Sequence, residues 1–360
     1  MGSVATTSPL SEEVVLIVVP AEPKQEWIDR IKAKYPGITV RWVNLPIGGP
    51  KTTEDLPADL WDGVTIYSGF VTGPSAGLEK VRFVQLPSAG ADRWLDHHLY
   101  KNRPDVVFST ANGVHPPQIA EWVIASWLNN QHHLLRYHDT QQQATWKRIT
   151  DPVDDSVGLR MGVLGYGAIG RQCGRLGQAL GMEVYAYTRG ERSTPESRRD
   201  DSYCVPGTGD PDGLIPTKWF HGASRESIDH FLAQDLDLLV IGLPLTPETD
   251  GLFGKEQFEI LSRRKTFVSN IARGRLIQQD ALIEAAESGK IRGAALDVTE
   301  PEPLPDGHPL WKAPNVYITP HISGITTKYW DRALDILETN IDHLARGEPL
   351  INVIDRKLNY

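Results

Sequence analysis

The sequence has few cysteines and no long apolar run. Its two cysteines, Cys173 and Cys204, provide neither a disulfide framework nor a paired metal-ligand spacing. We therefore predict no metal site and a reducing compartment, the cytoplasm. The early apolar run Val14–Pro20 is far shorter than the roughly 20 residues of a membrane-spanning helix, and Glu12 and Glu13 stand where a signal peptide would be basic. The sequence thus predicts no membrane association.

The sequence also lacks an excess of basic residues. It has 37 Lys and Arg against 46 Asp and Glu, which gives a formal net charge of -9. Such a chain has no broad basic surface to neutralise a phosphate backbone, so nucleic acid is not an expected partner. With 360 residues, of which 40% are hydrophobic, the chain has enough apolar material for a large core, and its length favours two domains.

Short apolar segments alternate with helical patterns along the chain, which is typical of parallel α/β sheets. A long helix is predicted from Pro117 to about His138, because proline suits a first helical turn and the apolar residues that follow keep helical spacing. Two groups of strands predict two sheets. The first group is Val14–Val19, Ile38–Val43, Val64–Ile66, Phe83–Leu86 and Val106–Phe108; the second is Met161–Leu164, Glu183–Tyr187, Leu238–Ile241, Thr266–Ser269, Gly293–Leu296 and Val316–Ile318.

The segment Glu191–Gly222 is rich in Gly, Pro, Ser, Asp and Arg. It is too long for a usual connection between a strand and a helix. We therefore predict an insertion on the protein surface.

A glycine-rich motif follows the first strand of the second group. Residues Gly165–Gly170 read G-Y-G-A-I-G, with a predicted helix and a second strand after them. This is a G-x-G-x-x-G motif in the strand–turn–helix context that it requires. Its first glycine permits the turn, its second lets the backbone approach a pyrophosphate, and its third lets the helix pack closely on the strand. A turn without a ligand is the alternative, but the context favours a dinucleotide site formed by Gly165, Gly167, Ala168, Ile169 and Gly170.

The end of the second strand bears on the choice of cofactor. An NAD-specific site normally has Asp or Glu there, to bind the ribose 2′-hydroxyl. This chain has Thr188 and then Arg189, with Arg192, Arg198 and Arg199 close behind. A 2′-phosphate would meet guanidinium groups and no repelling carboxylate. We predict NADP(H) as the preferred cofactor and NAD(H) as the second choice, unless these arginines only solvate a loop.

Three later strands end in residues suited to acid–base chemistry. One ends in N-I-A-R-G with Arg273, the next in D-V-T-E-P-E-P with Glu300 and Glu302, and the third in T-P-H-I-S-G with His321. Taken singly, they could be a loop cap, solvated turn residues and a core histidine. Ligands bind at the carboxyl edge of an open α/β sheet, however, so the sequence predicts that these side chains converge beside a nicotinamide.

These motifs resemble, in their order, those of the D-isomer-specific 2-hydroxyacid dehydrogenase family, in particular its glyoxylate/hydroxypyruvate reductase type. The resemblance covers most of the chain, and matches less well near Trp122–Trp146 and Glu191–Gly222. The segments that carry it are Ser88–Asp92, Gly165–Gly170, Leu243–Thr249, Asn270–Gly274, Leu296–Pro305, Thr319–Gly324 and Leu344–Val353.

The resemblance implies two Rossmann-like parallel-sheet domains. A flavodoxin-like substrate domain would comprise residues 1–118 and 325–360, and an NAD(P)-binding Rossmann domain, residues 119–324, would be inserted into it. The implied activity is NAD(P)H-dependent reduction of a small-molecule 2-keto acid to a D-2-hydroxy acid, by a chain that forms a homodimer.

The resemblance also assigns roles to individual residues. Arg273 resembles the arginine that anchors the substrate carboxylate and polarises its keto oxygen. His321 resembles the proton donor, and Glu302 resembles the carboxylate that orients it and favours the imidazolium. Glu300 competes for that role, but the family's spacing of five residues after Asp297 selects Glu302.

The remaining contacts follow from the same resemblance. Asp297 resembles the carboxylate at the nicotinamide end of the cofactor, and Leu243 with Pro244 the apolar wall beside its ribose and adenine. Ala89 and Gly90 resemble the backbone amides that bind the substrate carboxylate, with Arg273 and His321. The full predicted cofactor set adds Thr188, Arg189, Ile271, Ala272, Arg273, His321 and Gly324.

Two other functions remain open from the sequence. The chain also resembles the formate dehydrogenases, which have a similar fold, but their active histidine pairs with Gln, whereas this chain has Glu302. A corepressor-type protein would use the fold to sense NAD(H) without catalysis. The set of Arg273, Glu302 and His321 favours an enzyme, and the sequence does not select one 2-keto acid.

Overall fold

Two parallel β-sheets organise the chain, as the repeated strand–helix pattern predicts. The computed structural model describes residues 10–46, 48–49, 51–150 and 152–360. One unit comprises Met1–Val114 and Thr327–Tyr360, and the other comprises His115–Thr326. The predicted domain boundaries lie four residues from the first crossing between the units and two residues from the second.

The first unit contains a five-stranded sheet in the order β2-β1-β3-β4-β5, with every strand pair parallel. Strand β1 reads V-V-L-I-V-V and is buried along nearly its whole length, as expected where helices cover both faces of a parallel sheet. Its elements are β1 (Val14–Val19), α1 (Gln25–Lys34), β2 (Thr39–Asn44), β3 (Ile66–Gly69), β4 (Phe83–Gln85), α2 (His98–Asn102), β5 (Val107–Ser109) and, after the second unit, α10 (Tyr329–Arg346).

The second unit contains a seven-stranded parallel sheet in the order β12-β11-β10-β9-β6-β7-β8. Its core consists of two apolar clusters of buried residues. Its elements are α3 (Pro116–Gln131), α4 (Leu134–Gln142), β6 (Arg160–Leu164), α5 (Ala168–Ala179), β7 (Glu183–Thr188), α6 (Pro195–Arg198), β8 (Lys218–His221), α7 (Arg225–Leu232), β9 (Leu238–Ile241), α8 (Lys255–Ser262), β10 (Phe267–Asn270), α9 (Gln279–Glu287), β11 (Gly293–Leu296) and β12 (Val316–Ile318).

The single helix predicted from Pro117 to about His138 is wrong, because the segment forms α3 and α4 with a break between them. At the break His133 has a φ of 56°, a left-handed conformation that a right-handed helix does not contain. The side chain of Asn129 then accepts a hydrogen bond from the amide of Leu135 at the start of α4.

The interpretation of Glu191–Gly222 as a surface insertion is also incomplete. The segment forms helix α6 and strand β8, and β8 extends the sheet by pairing in parallel with β7. Asp210, within this segment, is only 5% exposed. The segment is therefore partly integrated into the core of the second unit.

In the part of the chain that the structure describes, no helix is both long and apolar enough to span a membrane.

Candidate functional site

The glycine motif forms the turn from β6 into α5. Gly165 has a φ of 106°, and a Cβ atom there would lie 2.6 Å from the carbonyl oxygen of Gly242. Only glycine satisfies both conditions. Gly167 is the N-cap of α5, and a Cβ atom added there would contact nothing within 4 Å. The space beside this helix N-terminus fits a phosphate group, so the residues present suit a dinucleotide.

The end of β7 carries the residues predicted to choose the cofactor. The hydroxyl of Thr188 donates a hydrogen bond of 2.8 Å to the carbonyl of Gly190. Arg192 donates to the carbonyl of Ser197, and Arg198 donates to the carbonyl of Arg192. Arg192 and Arg198 therefore hold the local fold of the insertion, and the predicted contact of Arg189 with a 2′-phosphate stays a prediction.

The segment Leu243–Thr249 lies near Arg189. Its turn is stabilised by the Thr249 hydroxyl, which donates to the carbonyl of Pro244 over 2.8 Å. The pKa of the Glu248 carboxyl is lowered by hydrogen bonding to the side chain of Thr246 and, as a smaller contribution, by the positive charge of Arg189. Two parts of the predicted cofactor set are therefore neighbours.

Arg273 lies in the loop that follows β10. The side chain of Asn270 accepts a hydrogen bond from the amide of Ala272 and donates one of 2.9 Å to the carbonyl of Arg273. These two bonds fix the backbone around the arginine. Ile271 and Ala272 in this loop are both buried.

Gly274 lies where this loop packs against the loop that carries the glutamates. A Cβ atom at this position would overlap the backbone carbonyl of Thr299 and lie 2.7 Å from the amide nitrogen of Glu300. The side chain of Gln279 bonds to both the amide and the carbonyl of Glu300. The loop of Arg273 and the loop of Glu302 are therefore in direct backbone contact.

His321 contacts Glu302. The distance from His321 Nδ1 to Glu302 Oε1 is 2.7 Å, and both side chains are nearly half exposed. A carboxylate on Nδ1 orients the ring and leaves Nε2 to exchange a proton. His321 also has a φ of 54°, so the backbone adopts an unfavourable conformation where the ring is presented. The structure thus places Glu302 against His321, and the catalytic roles of both remain predictions.

Asp297 has a structural role that the sequence did not indicate. It is 2% exposed, and its carboxylate accepts hydrogen bonds from the Thr319 hydroxyl and from the amides of Ile322 and Ser323, at 2.6 to 3.0 Å. The Ser323 hydroxyl donates to it as well. Asp297 therefore fixes the loop that presents His321. Thr319 and Ser323, the hydroxyl residues two positions before and after His321, were the sequence signal for this role.

In the first unit, Ala89 and Gly90 lie in the loop after β4. The Ser88 hydroxyl donates a hydrogen bond of 2.7 Å to the carbonyl of Gly90, and the Ala111 amide donates one of 2.8 Å to the carbonyl of Ser88. The Tyr329 hydroxyl donates a hydrogen bond of 2.8 Å to the carbonyl of Pro87. The loop is well anchored, and its predicted contact with a substrate carboxylate stays a prediction.

A family model described as "D-isomer specific 2-hydroxyacid dehydrogenase, NAD binding domain" matches residues 124–205 and 214–323. The chain belongs to this family. Hydroxypyruvate reductase of Blautia hydrogenotrophica is 30% identical over 317 residues, which are 84% of this chain and 88% of the relative. As a family member, the protein is an NAD(P)-dependent oxidoreductase that acts on 2-hydroxy acids.

Solved structures of family members share the fold. A D-isomer specific 2-hydroxyacid dehydrogenase from Xanthobacter autotrophicus, in complex with NADPH and MES, is 27% identical with a TM-score of 0.71, over 97% of this chain and all of that one. The NADPH-dependent glyoxylate/hydroxypyruvate reductase of Sinorhizobium meliloti, in complex with NADP and sulfate, is 25% identical with a TM-score of 0.70 and the same coverage. The family resemblance seen in the sequence and the predicted pair of parallel-sheet domains are both confirmed.

Proposed function

We propose that this dehydrogenase uses NADPH to reduce a small 2-keto acid to a D-2-hydroxy acid, with His321 as the proton donor. The observation that carries the proposal is the 2.7 Å contact between His321 Nδ1 and Glu302 Oε1. The names of the relatives support a small keto acid such as glyoxylate or hydroxypyruvate. A Glu partner, instead of Gln, disfavours a formate-dehydrogenase-like reaction.

Arg273, His321 and Glu302 would each have a different role in the reaction. Arg273 binds the substrate carboxylate and polarises the keto oxygen as negative charge develops on it. When bound, reduced nicotinamide supplies the hydride that adds to the carbonyl carbon. His321 gives the proton on Nε2 to the carbonyl oxygen, and Glu302 holds the ring in place through Nδ1. Water then restores the proton to the ring.

The first prediction tests this activity directly. The purified chain should oxidise NADPH when glyoxylate, hydroxypyruvate or pyruvate is added, followed by absorbance at 340 nm, a wavelength characteristic of the reduced ring. Chiral chromatography of a product with a stereocentre should give the D isomer. If a folded sample turns over none of these acids, or any bulkier aryl or branched keto acid, with either cofactor, the NAD(H)-sensing function would replace the enzymatic one.

The second prediction concerns the choice of cofactor. Thr188→Asp combined with Arg189→Ala should reverse a preference for NADPH, because the carboxylate repels a 2′-phosphate and accepts a bond from a ribose hydroxyl. Charge-assisted bonds to phosphate contribute about 1.5–3 kcal/mol, so the wild type should favour NADPH about tenfold to hundredfold in kcat/KM. The relatives solved with NADPH and NADP support this choice.

The matched control is Arg199→Ala. Arg199 lies in the insertion with its guanidinium 3.7 Å from the carboxylate of Asp212, and both side chains are exposed. Its removal should leave the ratio of the two kcat/KM values unchanged. A wild-type enzyme that uses NADH as well as NADPH, or a double variant with an unmoved ratio, would show that Arg189 does not read the 2′-phosphate.

We also propose a homodimer in the cytoplasm. The second unit has a groove of about 520 Å³ lined by Trp122, Leu135, Trp311 and Tyr317 among others. Leu135 and Trp311, which both line this groove, are roughly half exposed. Clustered exposed apolar side chains support an interface with a second copy. The two thiols, which form no disulfide, support a reducing compartment.

A further inference from the structure

The insertion contacts the glycine motif through a buried side-chain network. The family model matches residues 124–205 and 214–323, so residues 206–213 fall outside the family pattern. Asp210 lies in this unmatched stretch. Its carboxylate accepts a hydrogen bond of 3.0 Å from the hydroxyl of Tyr166, which is the second residue of G-Y-G-A-I-G. Asp210 is 5% exposed and Tyr166 is 3% exposed.

The position of Asp210 is itself fixed by several bonds. Its carboxylate also accepts from the amides of Leu214 and Ile215, at 2.9 and 3.2 Å. The buried guanidinium of Arg171, on α5, donates to the carbonyl of Asp210 and, over 2.8 Å, to that of Arg198. The carboxylate is therefore held at both its side chain and its backbone.

Further contacts fasten the stretch next to Asp210 to the same helix. The Gly209 amide donates to Gln172 over 2.7 Å, and Arg175 donates to the carbonyl of Gly209 over 3.2 Å. Gln172 is buried. The unmatched stretch is thus fastened along one face of α5, the helix whose N-terminus follows the glycine turn.

Tyr166 is packed as tightly as it is bonded. Its ring lies edge-on to Trp219 with the centroids 5.2 Å apart, and the guanidinium carbon of Arg171 lies 5.3 Å from its centroid. A Cβ atom on Gly174 would lie 2.8 Å from the Tyr166 hydroxyl, so the ring rests against the backbone of α5. Burial, and then the nearby Asp210 carboxylate, raise the pKa of Tyr166, which keeps its hydroxyl a donor.

We propose that Asp210 is a positioning residue for the turn that binds the cofactor pyrophosphate, and that it acts through the hydroxyl of Tyr166. Tyr166 stands between Gly165 and Gly167, two residues whose backbone has the most conformational freedom to lose when a ligand binds. A side chain anchored between them orders the turn in advance and so lowers the entropic cost of binding. The proposal rests on the nucleotide-binding role of this unit.

The location of the turn determines the pattern of the effect. The pyrophosphate is common to NADH and NADPH, whereas the 2′-phosphate belongs to NADPH alone. If Asp210 acts at the turn, its loss weakens both cofactors by the same factor. If the insertion acts at the ribose through its arginines, only NADPH is weakened.

The experiment is a fluorescence titration of the full chain with NADH and with NADPH in the absence of substrate. Tyr166→Phe, which removes only the hydroxyl, should raise both Kd values by the same factor, about fivefold to tenfold. At saturating cofactor, kcat should stay within twofold of wild type. Asp210→Ala should also raise both Kd values by one common factor. Adding Tyr166→Phe to it should have no further effect, because the bond between Tyr166 and Asp210 is already absent in Asp210→Ala.

The matched control is Asp212→Ala, which removes an exposed carboxylate two residues away in the same insertion and should leave both Kd values unchanged. If Asp210→Ala does not fold, Tyr166→Phe decides alone. Unchanged Kd values in Tyr166→Phe, or a rise for NADPH only, would overturn the proposal. Because the titration needs no keto acid, a failure of the proposed reaction would be seen separately.

Discussion

His321→Phe is expected to lower kcat for keto-acid reduction by about 10²- to 10⁴-fold, the usual contribution of a positioned general acid. The Kd for NADPH should stay nearly unchanged, because the ring serves proton transfer more than cofactor binding. Phenylalanine keeps a planar ring but has no proton to give. The measurement is steady-state turnover at saturating NADPH, with cofactor titration on the same samples.

The glutamate pair supplies the control for this assignment. Glu302→Gln should lower kcat less than the histidine change does, because the ring loses the carboxylate that orients it from 2.7 Å away but keeps its own proton. Glu300→Gln should leave kcat unchanged. The reverse pattern would mean that the wrong glutamate has been assigned, and full activity of His321→Phe would remove the histidine from the mechanism.

Gly274→Ala should destabilise the fold through a backbone collision. The added methyl group would overlap the carbonyl of Thr299 and approach the amide of Glu300, and neither atom belongs to a flexible side chain. Overpacking of this kind costs about 3 kcal/mol, which corresponds to a fall in Tm of roughly 6–12 °C for a domain of 150–250 residues. Keto-acid turnover should fall too, because Arg273 and Glu302 lie on the two loops that are forced apart.

Gly190→Ala is the comparison for thermal unfolding. A Cβ atom at Gly190 meets nothing within 4 Å, and its φ is outside the left-handed range, so its Tm should match that of the wild type. The measurement is thermal unfolding of both variants and the wild type by circular dichroism. A Gly274→Ala protein that melts with the wild type would show that the two loops separate without cost.

The sequence predicted the parts of this protein that depend on local patterns. Strands such as Leu238–Ile241 and Gly293–Leu296 were located to the residue, because short apolar runs with turn residues on both sides are typical of buried parallel strands. The glycine motif predicted its own turn because its constraints lie within six residues. The choice of Glu302 over Glu300 as the partner of His321 followed only from the family's spacing.

Features set by tertiary contacts were missed. The break at His133 depends on a left-handed residue and on a side-chain bond from Asn129, and neither appears in the apolar periodicity. Strand β8 has two partly buried aromatic residues, and it is stabilised as a strand by pairing with β7. The bonds of Asp297 to the histidine loop join residues more than twenty positions apart. The hydroxyl residues around His321 indicate that their loop needs an acceptor, but the sequence does not show that Asp297 is that acceptor.

The two ends of the second unit lie side by side. The side-chain amide of Gln118, near its beginning, donates a hydrogen bond of 2.9 Å to the carbonyl of Gly324, near its end. A Cβ atom on Gly324 would lie 3.4 Å from the ring of His115, the first residue of the unit. A segment whose ends meet can enter or leave a host chain as a cassette, with little disturbance of the path on either side. Short linkers would therefore suffice to connect the two ends of the nucleotide-binding unit to each other, or to insert the unit into another chain.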